Sequence, residues 1–375
     1  MLPLNKPLVG SAVGYQAIQG HLRLLLSEYH DHRDVYLYMS AGQALRAVYD
    51  RLFDDKGSQR VLVSPLSCYH AYQPIFDAGH QIVFGDIDKE TLCLACSPSR
   101  EICDIVQVTH LGGIHPANLE LIRKAKQEGL LSIEDAAQCY DVGSMPGNHE
   151  SMADYSVYSL LKGVWALGGG YCVTSQALSA PVPSQNNVKL YLYRYLKRFF
   201  ESRCSYSSNL EARLLALILR LKRENSFSSK PNGLGTWFQS DAYTQFHVAK
   251  KCSPKRLYNL KVLMSSLINP DIDTRFLHQL VKDSVSRLYI IHKTKVTQEV
   301  VGYLRSYGAA ANHLSQNWLE TYQQPVFKHP VYAELAANVK LDVYRDVHDR
   351  IFTIPFSAAL LDADVNHLSG LLNKL

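Results

Sequence analysis

The chain has 375 residues, 47% of them hydrophobic, which is enough for one large domain or two packed domains. Its formal net charge is only +5, with both signs mixed along most of the sequence, whereas nucleic-acid-binding proteins concentrate Lys and Arg in runs or on one face. No segment reaches the roughly 18 consecutive apolar residues of a membrane span, and the N-terminus lacks the apolar core of a signal peptide. We therefore expect a cytoplasmic protein that binds no nucleic acid.

The first half of the sequence alternates between strand and helix patterns. Leu45, Val48, Leu52 and Phe53 form one apolar stripe, which predicts a helix after the first strand. The other predicted helices are YQPIFDAG and PANLELIRKAKQEG, and the predicted strands are DVYLYMS, RVLVSP, QIVFGDI, DIVQVTH and LLSIED. Strands separated by helices predict an α/β fold with a mostly parallel sheet that is covered on both sides.

The second half changes in character from about residue 186. Residues 186–235 contain two basic, helical patterns, KLYLYRYLKRFFES and NLEARLLALILRLKREN. A long connecting helix is predicted from SPKRLYNLKVLMSSLI, and the last part predicts a smaller α+β unit from SRLYIIHK, TQEVVGYLRSYG, DRIFTIP and a final helix from about Asp362. We therefore predict a large α/β domain over residues 1–250 and a small α+β domain over residues 251–375.

The eight cysteines are scattered along the chain. Cys93 and Cys96 form a CxxC motif, but no second pair lies at zinc-binding spacing and no redox motif surrounds it. We interpret the cysteines as buried free thiols in a reducing compartment, and we predict no metal site.

Candidate site residues follow several of the predicted strands, where open α/β sheets bind their ligands. Ser40 and Gln43 have the form of a capping box that opens a helix. Ala41 and Gly42 add no bulk over the first-turn N–H groups, which suits a phosphate. An ordinary helix start is the alternative interpretation of these residues.

Two further strand ends carry side chains that are suited to binding or catalysis. Tyr69 and His70 follow the strand RVLVSP, where a Tyr ring could lie flat on a ligand ring or be partly buried. Glu134 and Asp135 end an apolar strand, so we expect Asp135 to be poorly hydrated and to need a cation or several hydrogen-bond donors. A role for Asp135 in capping the following turn is the alternative.

Lys162 lies in the apolar run SVYSLLKGVWALGGGYCVTS, ahead of three glycines. A desolvated lysine loses its charge more easily and becomes a nucleophile toward carbonyl groups. A phosphate site, a flat aromatic ring, a buried Asp and a buried Lys together fit pyridoxal phosphate (PLP), which needs a phosphate site, an amine for its aldehyde and an acid for its pyridine nitrogen.

At these residues the chain resembles the DegT/DnrJ/EryC1/StrS family of PLP-dependent, fold-type I sugar aminotransferases. The most specific match is SIEDAAQCYD, which is close to the family's IEDAAQ block, and VYSLLKGVWALGGGY resembles the lysine-bearing block. The other similar stretches are RVLVSPLSCYHAYQPIFDAGHQIVFGDIDKETL, VQVTHLGG and DRIFTIPFSAALLDADVNHL. The resemblance implies a seven-stranded type of sheet, a homodimer, and amino transfer to a keto-sugar, expected to be nucleotide-linked, with glutamate as the expected donor.

The resemblance also implies roles for individual residues. Lys162 would bind the cofactor aldehyde and Asp135 would keep the pyridine nitrogen protonated. The remaining contacts are Gln138 with the ring oxygen, Tyr69 stacked on the ring, and Ala41, Gly42 and Ser159 with the phosphate. The glycines after Lys162 would let the chain pass close to the cofactor.

Some interpretations stay open at this level. His110, at the end of DIVQVTH, is either a substrate contact or a core histidine. The basic segment 186–235 either packs on the body of the protein or contacts an anionic partner or membrane surface, and we favour packing. The family also includes dehydratases with His in place of the lysine, and a catalytically idle binding subunit is a further alternative, because the family's Asn-x-Arg is missing from GTWFQSDAY.

Overall fold

The computed structural model describes residues 18–139, 153–181, 188–203, 231–307, 312–313, 339–356 and 362–375. The second half of the basic segment, with the predicted helix NLEARLLALILRLKREN, lies outside these residues.

The large part of the chain is built on a seven-stranded sheet with the order β1-β7-β6-β5-β4-β2-β3. Strands β2 to β6 pair in parallel, whereas β7 is antiparallel to both β1 and β6. The strands are β1 Asp34–Tyr38, β2 Arg60–Val63, β3 Gln81–Phe84, β4 Ile105–Thr109, β5 Leu131–Ala136, β6 Tyr155–Ser159 and β7 Gly170–Thr174. The predicted α/β fold with a mostly parallel sheet is confirmed.

Burial explains why these segments form central strands. All five residues are buried in each of β4, β6 and β7. Strands of parallel sheets show such continuous burial when helices cover both faces. The apolar stripe of the helix after β1 packs on one face through Leu45, Val48 and Leu52, as predicted, and Phe53 stays partly exposed.

The helices of this part begin with a segment that the sequence analysis missed, α1 Ile18–Tyr29. The others are α2 Ala41–Lys56, α3 Tyr69–Asp77, α4 Pro116–Gln127, the single turn α5 Leu160–Gly163, α6 Val188–Arg203 and α7 Thr236–Ser266. Helix α7 is longer than predicted, because it begins at Thr236 and continues through Pro254. The predicted domain boundary at residue 250 therefore lies within a helix.

The C-terminal part contains a four-stranded sheet with the order β10-β11-β9-β8. Its elements are β8 Ile272–Asp273, α8 Arg275–Gln279, β9 Arg287–His292, α9 Thr297–Ser306, β10 Asn312–His313, α10 Asp342–Val347, β11 Ile351–Pro355 and α11 Asp362–Leu372. One cluster of buried apolar side chains runs from α2 and β2 into this smaller part. The two parts therefore share a core. Among the described residues, no helix is long and apolar enough to cross a membrane.

Candidate active site

Asp135 lies near the carboxyl end of β5 with only 5% of its surface exposed. Its Oδ1 accepts a hydrogen bond from the Ala137 N–H at 3.1 Å. Burial raises the pKa of the Asp135 carboxyl, and the Ala137 hydrogen bond and the positive charge of Lys162 partly offset that rise. A carboxylate in this position gains from a cationic partner.

Lys162 lies on α5, the helical turn that follows the neighbouring strand β6. Ser159 is the N-cap of this turn, and its Oγ accepts from the Lys162 N–H at 3.3 Å. Strands β5 and β6 are parallel neighbours, so Asp135 and the Lys162 turn lie at the same edge of the sheet, where burial raises the pKa of Asp135 and the charge of Lys162 acts to lower it. The expectation of a buried Lys162 is wrong for this chain, because Lys162 is exposed on this turn, whereas its neighbours Leu160 and Gly163 are buried.

The predicted phosphate site is the N-terminus of α2. Ser40 is its N-cap, and its side chain accepts from the Gln43 N–H at 3.2 Å. The capping box is only half formed, because the Gln43 side chain accepts from the Asn232 N–H at 3.3 Å. A Cβ added to Gly42 would meet His70 O at 3.5 Å and no atom closer. The first turn of α2 thus has room for a Cβ at position 42 and carries no acidic residue.

Gly170 joins the phosphate site to the lysine turn. It pairs with Tyr38 of β1 on one side and with Ser159 of β6 on the other. A Cβ on Gly170 would lie 2.2 Å from the Ala41 N atom. Gly170 allows the start of α2 to approach β7, and Gly169, at φ 105°, turns the chain into that strand.

The structure shows where the other predicted site residues lie. Tyr69 is the first residue of α3, and its side chain is outside the described part of the structure. Gln138 is half-buried just after β5. Its Oε1 accepts from the Tyr289 hydroxyl and its backbone O accepts from Ser286 Oγ. Tyr289 and Ser286 belong to the C-terminal part, and the sequence analysis missed both.

His110 lies in the core of the protein. It is fully buried, and its Nδ1 accepts from the His115 N–H at 3.3 Å. Because Nδ1 is an acceptor, Nε2 carries the ring hydrogen and donates to Glu134 Oε1 at 2.9 Å. His110 directly follows β4, and Glu134 precedes Asp135 on β5.

The family model for the DegT/DnrJ/EryC1/StrS aminotransferase family matches residues 22–217, just over half of the 375 residues. The chain belongs to the DegT/DnrJ/EryC1/StrS aminotransferase family. A search of curated proteins finds no match.

Solved structures of low sequence identity share the fold of this family member. Helicobacter pylori PseC, an aminotransferase involved in the biosynthesis of pseudoaminic acid, is 15% identical with a TM-score of 0.66, covering 95% of this chain and 90% of its own. An aminotransferase from Psychrobacter cryohalolentis is 15% identical with a TM-score of 0.65 and the same coverage. The E. coli GDP-4-keto-6-deoxy-D-mannose-3-dehydratase is 15% identical with a TM-score of 0.64, covering 99% and 100% of the two chains.

The basic helix α6 of this family member is tied to the loop after the lysine turn. Arg194 is half-buried, and its Nη1 donates to Leu167 O at 3.0 Å. The guanidinium lies 5.6 Å from the centre of the Phe238 ring, and burial lowers its pKa. The Leu167 N–H donates to Asp241 Oδ2 at 2.7 Å. Arg194 and Asp241 thus bind the backbone carbonyl and the backbone N–H of Leu167, respectively.

Of the two thiols of the CxxC motif, Cys93 is buried as expected and Cys96 is half-buried. Burial raises the pKa of Cys93 to about 12 and that of Cys96 to about 11. Thiols with such values are poor nucleophiles at neutral pH. No group of metal-binding side chains occurs among the described residues.

Proposed function

We propose that this family member is a PLP-dependent aminotransferase that moves an amino group from glutamate to a keto-sugar, itself nucleotide-linked. The observation that carries the proposal is the placement of buried Asp135 and of Lys162 at the carboxyl ends of two adjacent parallel strands, beside the N-terminus of α2. Each of these features also occurs in proteins without a cofactor. Their combination at one sheet edge matches the needs of PLP.

The residues present fit PLP in charge and in space. A buried carboxylate whose pKa is raised by burial gains from the proton of a pyridinium nitrogen. The first turn of α2 offers N–H groups beside Gly42, where only ordinary contacts surround the position of a Cβ. Ser159 Oγ accepts from a backbone N–H, so its hydrogen can be donated to a phosphate oxygen.

The proposed roles follow from these positions. When bound, PLP supplies an electron sink for carbanion chemistry at an amino acid α-carbon. Asp135 holds the proton on the pyridine nitrogen. The Lys162 amine binds the cofactor aldehyde at rest and, once released, moves a proton from the α-carbon of the donor.

The remaining predicted residues would hold the cofactor in place. Ala41, Gly42 and Ser159 would bind the phosphate, Gln138 the ring oxygen, and Tyr69 the ring face. The exposure of Lys162 leaves its amine accessible to substrates from solvent.

A keto-sugar substrate is supported by the family and by its structural relatives. One relative, DesI, was solved in the presence of its TDP-sugar product and has a TM-score of 0.65 at 15% identity. We propose a role in surface polysaccharide or glycosylated metabolite biosynthesis, and a homodimer as the working form. Light scattering at micromolar concentration tests the dimer, because a mass near the 42.2 kDa of one chain contradicts it.

Peptide mass mapping after borohydride reduction tests the proposal. We expect the purified protein loaded with PLP to carry the pyridoxyl mass on Lys162, and Lys162→Ala to carry none and to lose amino transfer. Lys189→Ala, on exposed α6, is the matched control and should keep both label and activity.

Three outcomes of this experiment contradict the proposal. A label on another lysine overturns the assignment of Lys162. A sugar product that loses water without gaining nitrogen indicates a dehydratase. A protein that takes no label and shows no absorbance near 400 nm indicates an idle binding subunit.

A further inference from the structure

The C-terminal part of the chain contacts the proposed site at Gln138. Strand β9 brings the Tyr289 hydroxyl to Gln138 Oε1, and Ser286 Oγ, just before β9, donates to the Gln138 backbone O. Both oxygen atoms of Gln138 thus accept hydrogen bonds from residues about 150 positions later in the sequence.

The chemistry of the Tyr289 contact fixes the direction of the Gln138 amide. Tyr289 is 3% exposed, and burial raises its pKa to about 12, so at neutral pH its hydroxyl stays protonated and donates. A carboxamide has an acceptor oxygen at one end and two N–H donors at the other. Because Oε1 is held by Tyr289, the amide group of Gln138 presents its N–H donors away from β9.

The segment before Tyr289 is itself fixed to the large sheet. The Ser286 N–H donates to Gly112 O at 2.7 Å, and Val285 forms a bridge with Cys139. Gly112 has a φ of 72°, and a Cβ there would lie 2.3 Å from Arg287 O. These contacts leave β9 little freedom to slide relative to the ends of β4 and β5.

We propose that Tyr289 is a positioning residue that turns the amide donors of Gln138 toward the ring oxygen of the cofactor. This inference rests on the proposed function. A donated hydrogen bond stabilises the ring oxygen in its deprotonated form, so the pair lowers the pH at which the bound cofactor loses its proton. The C-terminal part thereby changes the pKa of the bound cofactor indirectly, through Gln138.

The test is an absorbance titration of the PLP-loaded protein with and without the tyrosine hydroxyl. In Tyr289→Phe, the midpoint pH should rise by about half a pH unit or more and PLP should bind about 2- to 10-fold more weakly, the range expected for one lost hydrogen bond. Tyr289→Phe added to Gln138→Leu should shift the midpoint no further, because the two residues act as one unit.

Tyr49→Phe is the matched control. Tyr49 is also fully buried and donates to a glutamine oxygen, Gln107 Oε1, at 2.6 Å. The Tyr49→Phe variant should lower the unfolding temperature about as much as Tyr289→Phe does, and it should leave the midpoint pH of the cofactor titration unchanged.

The outcomes separate this inference from the proposed function. If the protein takes up PLP on Lys162 and Tyr289→Phe titrates like the wild type, the positioning role is wrong and the proposed function stands. If equal shifts occur in Tyr49→Phe and Tyr289→Phe, the effect is general loosening, and the inference fails. If no PLP binds to Lys162, both the proposed function and this inference are overturned.

Discussion

The two strand ends that form the proposed site are built in opposite ways. The end of β5 is enclosed: Asp135 is 5% exposed, and Gln138 is held by Ser286 and Tyr289 from the C-terminal part. The end of β6 is open, with Lys162 exposed on a single helical turn. One end relies on burial to set its chemistry, and the other relies on backbone geometry to place an accessible amine.

The two designs have different energetic consequences. Burying the Asp135 carboxylate without a cofactor is unfavourable, which is why its pKa is raised. The Lys162 turn involves no such burial, but it depends on Gly170 lying against Ala41. Removing the buried charge should therefore stabilise the empty protein, and adding bulk at Gly170 should destabilise it.

Asp135→Asn should have the largest effect on function among the variants of the two ends. The amide cannot stabilise a charged pyridinium, so kcat should fall about 100-fold or more, of the order seen when a preorganised electrostatic partner is removed. Cofactor uptake on Lys162 should persist. Wild-type turnover in Asp135→Asn would show that this carboxylate is not the ring partner.

The same variant should change the stability of the cofactor-free protein with a defined sign. Because the folded-state pKa of Asp135 is raised, the folded state binds more protons than the unfolded state between the two pKa values, and stability falls as pH rises through that window. At neutral pH the wild type has lost this stability, and Asp135→Asn has not. We expect the unfolding temperature of the empty protein to rise by about 1–3 °C at pH 7, and the difference to vanish below pH 4.

Local sequence signals were sufficient to place Asp135 and Lys162 at one edge of the sheet. Asp135 lies at the end of an apolar strand and Lys162 just after the next one, and the order of strands and helices puts both at the carboxyl edge of parallel strands. The core of that sheet was also predictable, since continuous apolar runs mark strands covered on both faces.

Contacts between distant segments could not be predicted in this way. Ser286 and Tyr289 lie 148 and 151 positions from Gln138, and only the packing of β9 brings them together. The apolar sequence around Lys162 does not reveal its exposure either, because Leu160 and Gly163 of the same turn are buried. The start of α7 was missed because the segment from Thr236 has no side-chain cap and a proline occurs later in the helix.

Gly170→Ala tests the geometric dependence of the open end. Its Cβ would lie 2.2 Å from Ala41 N and 2.5 Å from Ser40 C, both backbone atoms that cannot rotate away. We expect a loss of about 2–4 kcal/mol in the free energy of unfolding, the range for strong steric conflict, together with weaker PLP binding. Urea denaturation and a PLP titration measure the two effects.

Gly302→Ala is the control for this substitution. Gly302 lies in α9, where a Cβ would meet nothing within 4 Å. Alanine should there stabilise the protein by about 0.5–1 kcal/mol, because it is the better helix former. Equal stability of the Gly170→Ala and Gly302→Ala variants would mean that the start of α2 adapts easily, and the contrast between the two strand ends would weaken.

Arg194→Met should have the smallest effect, and it decides what the basic helix α6 contributes to the open end. Arg194 donates to Leu167 O and lies over Phe238, so its guanidinium holds the loop between Lys162 and β7. Methionine keeps the apolar contact but loses the hydrogen bond, so we expect a loss of about 1 kcal/mol in unfolding free energy and weaker cofactor retention at all salt concentrations.

Lys189→Met is the matched control, because it removes the same charge from an exposed position of α6. If α6 acts by attracting anionic substrates, both variants should raise KM at low salt, and that rise should disappear at high salt because screening removes long-range attraction. If Arg194 acts by holding the loop, only Arg194→Met should change, and high salt should not restore it. We expect the second result, since the Arg194 side chain is directed into the protein at Leu167 and away from the solvent that a substrate crosses.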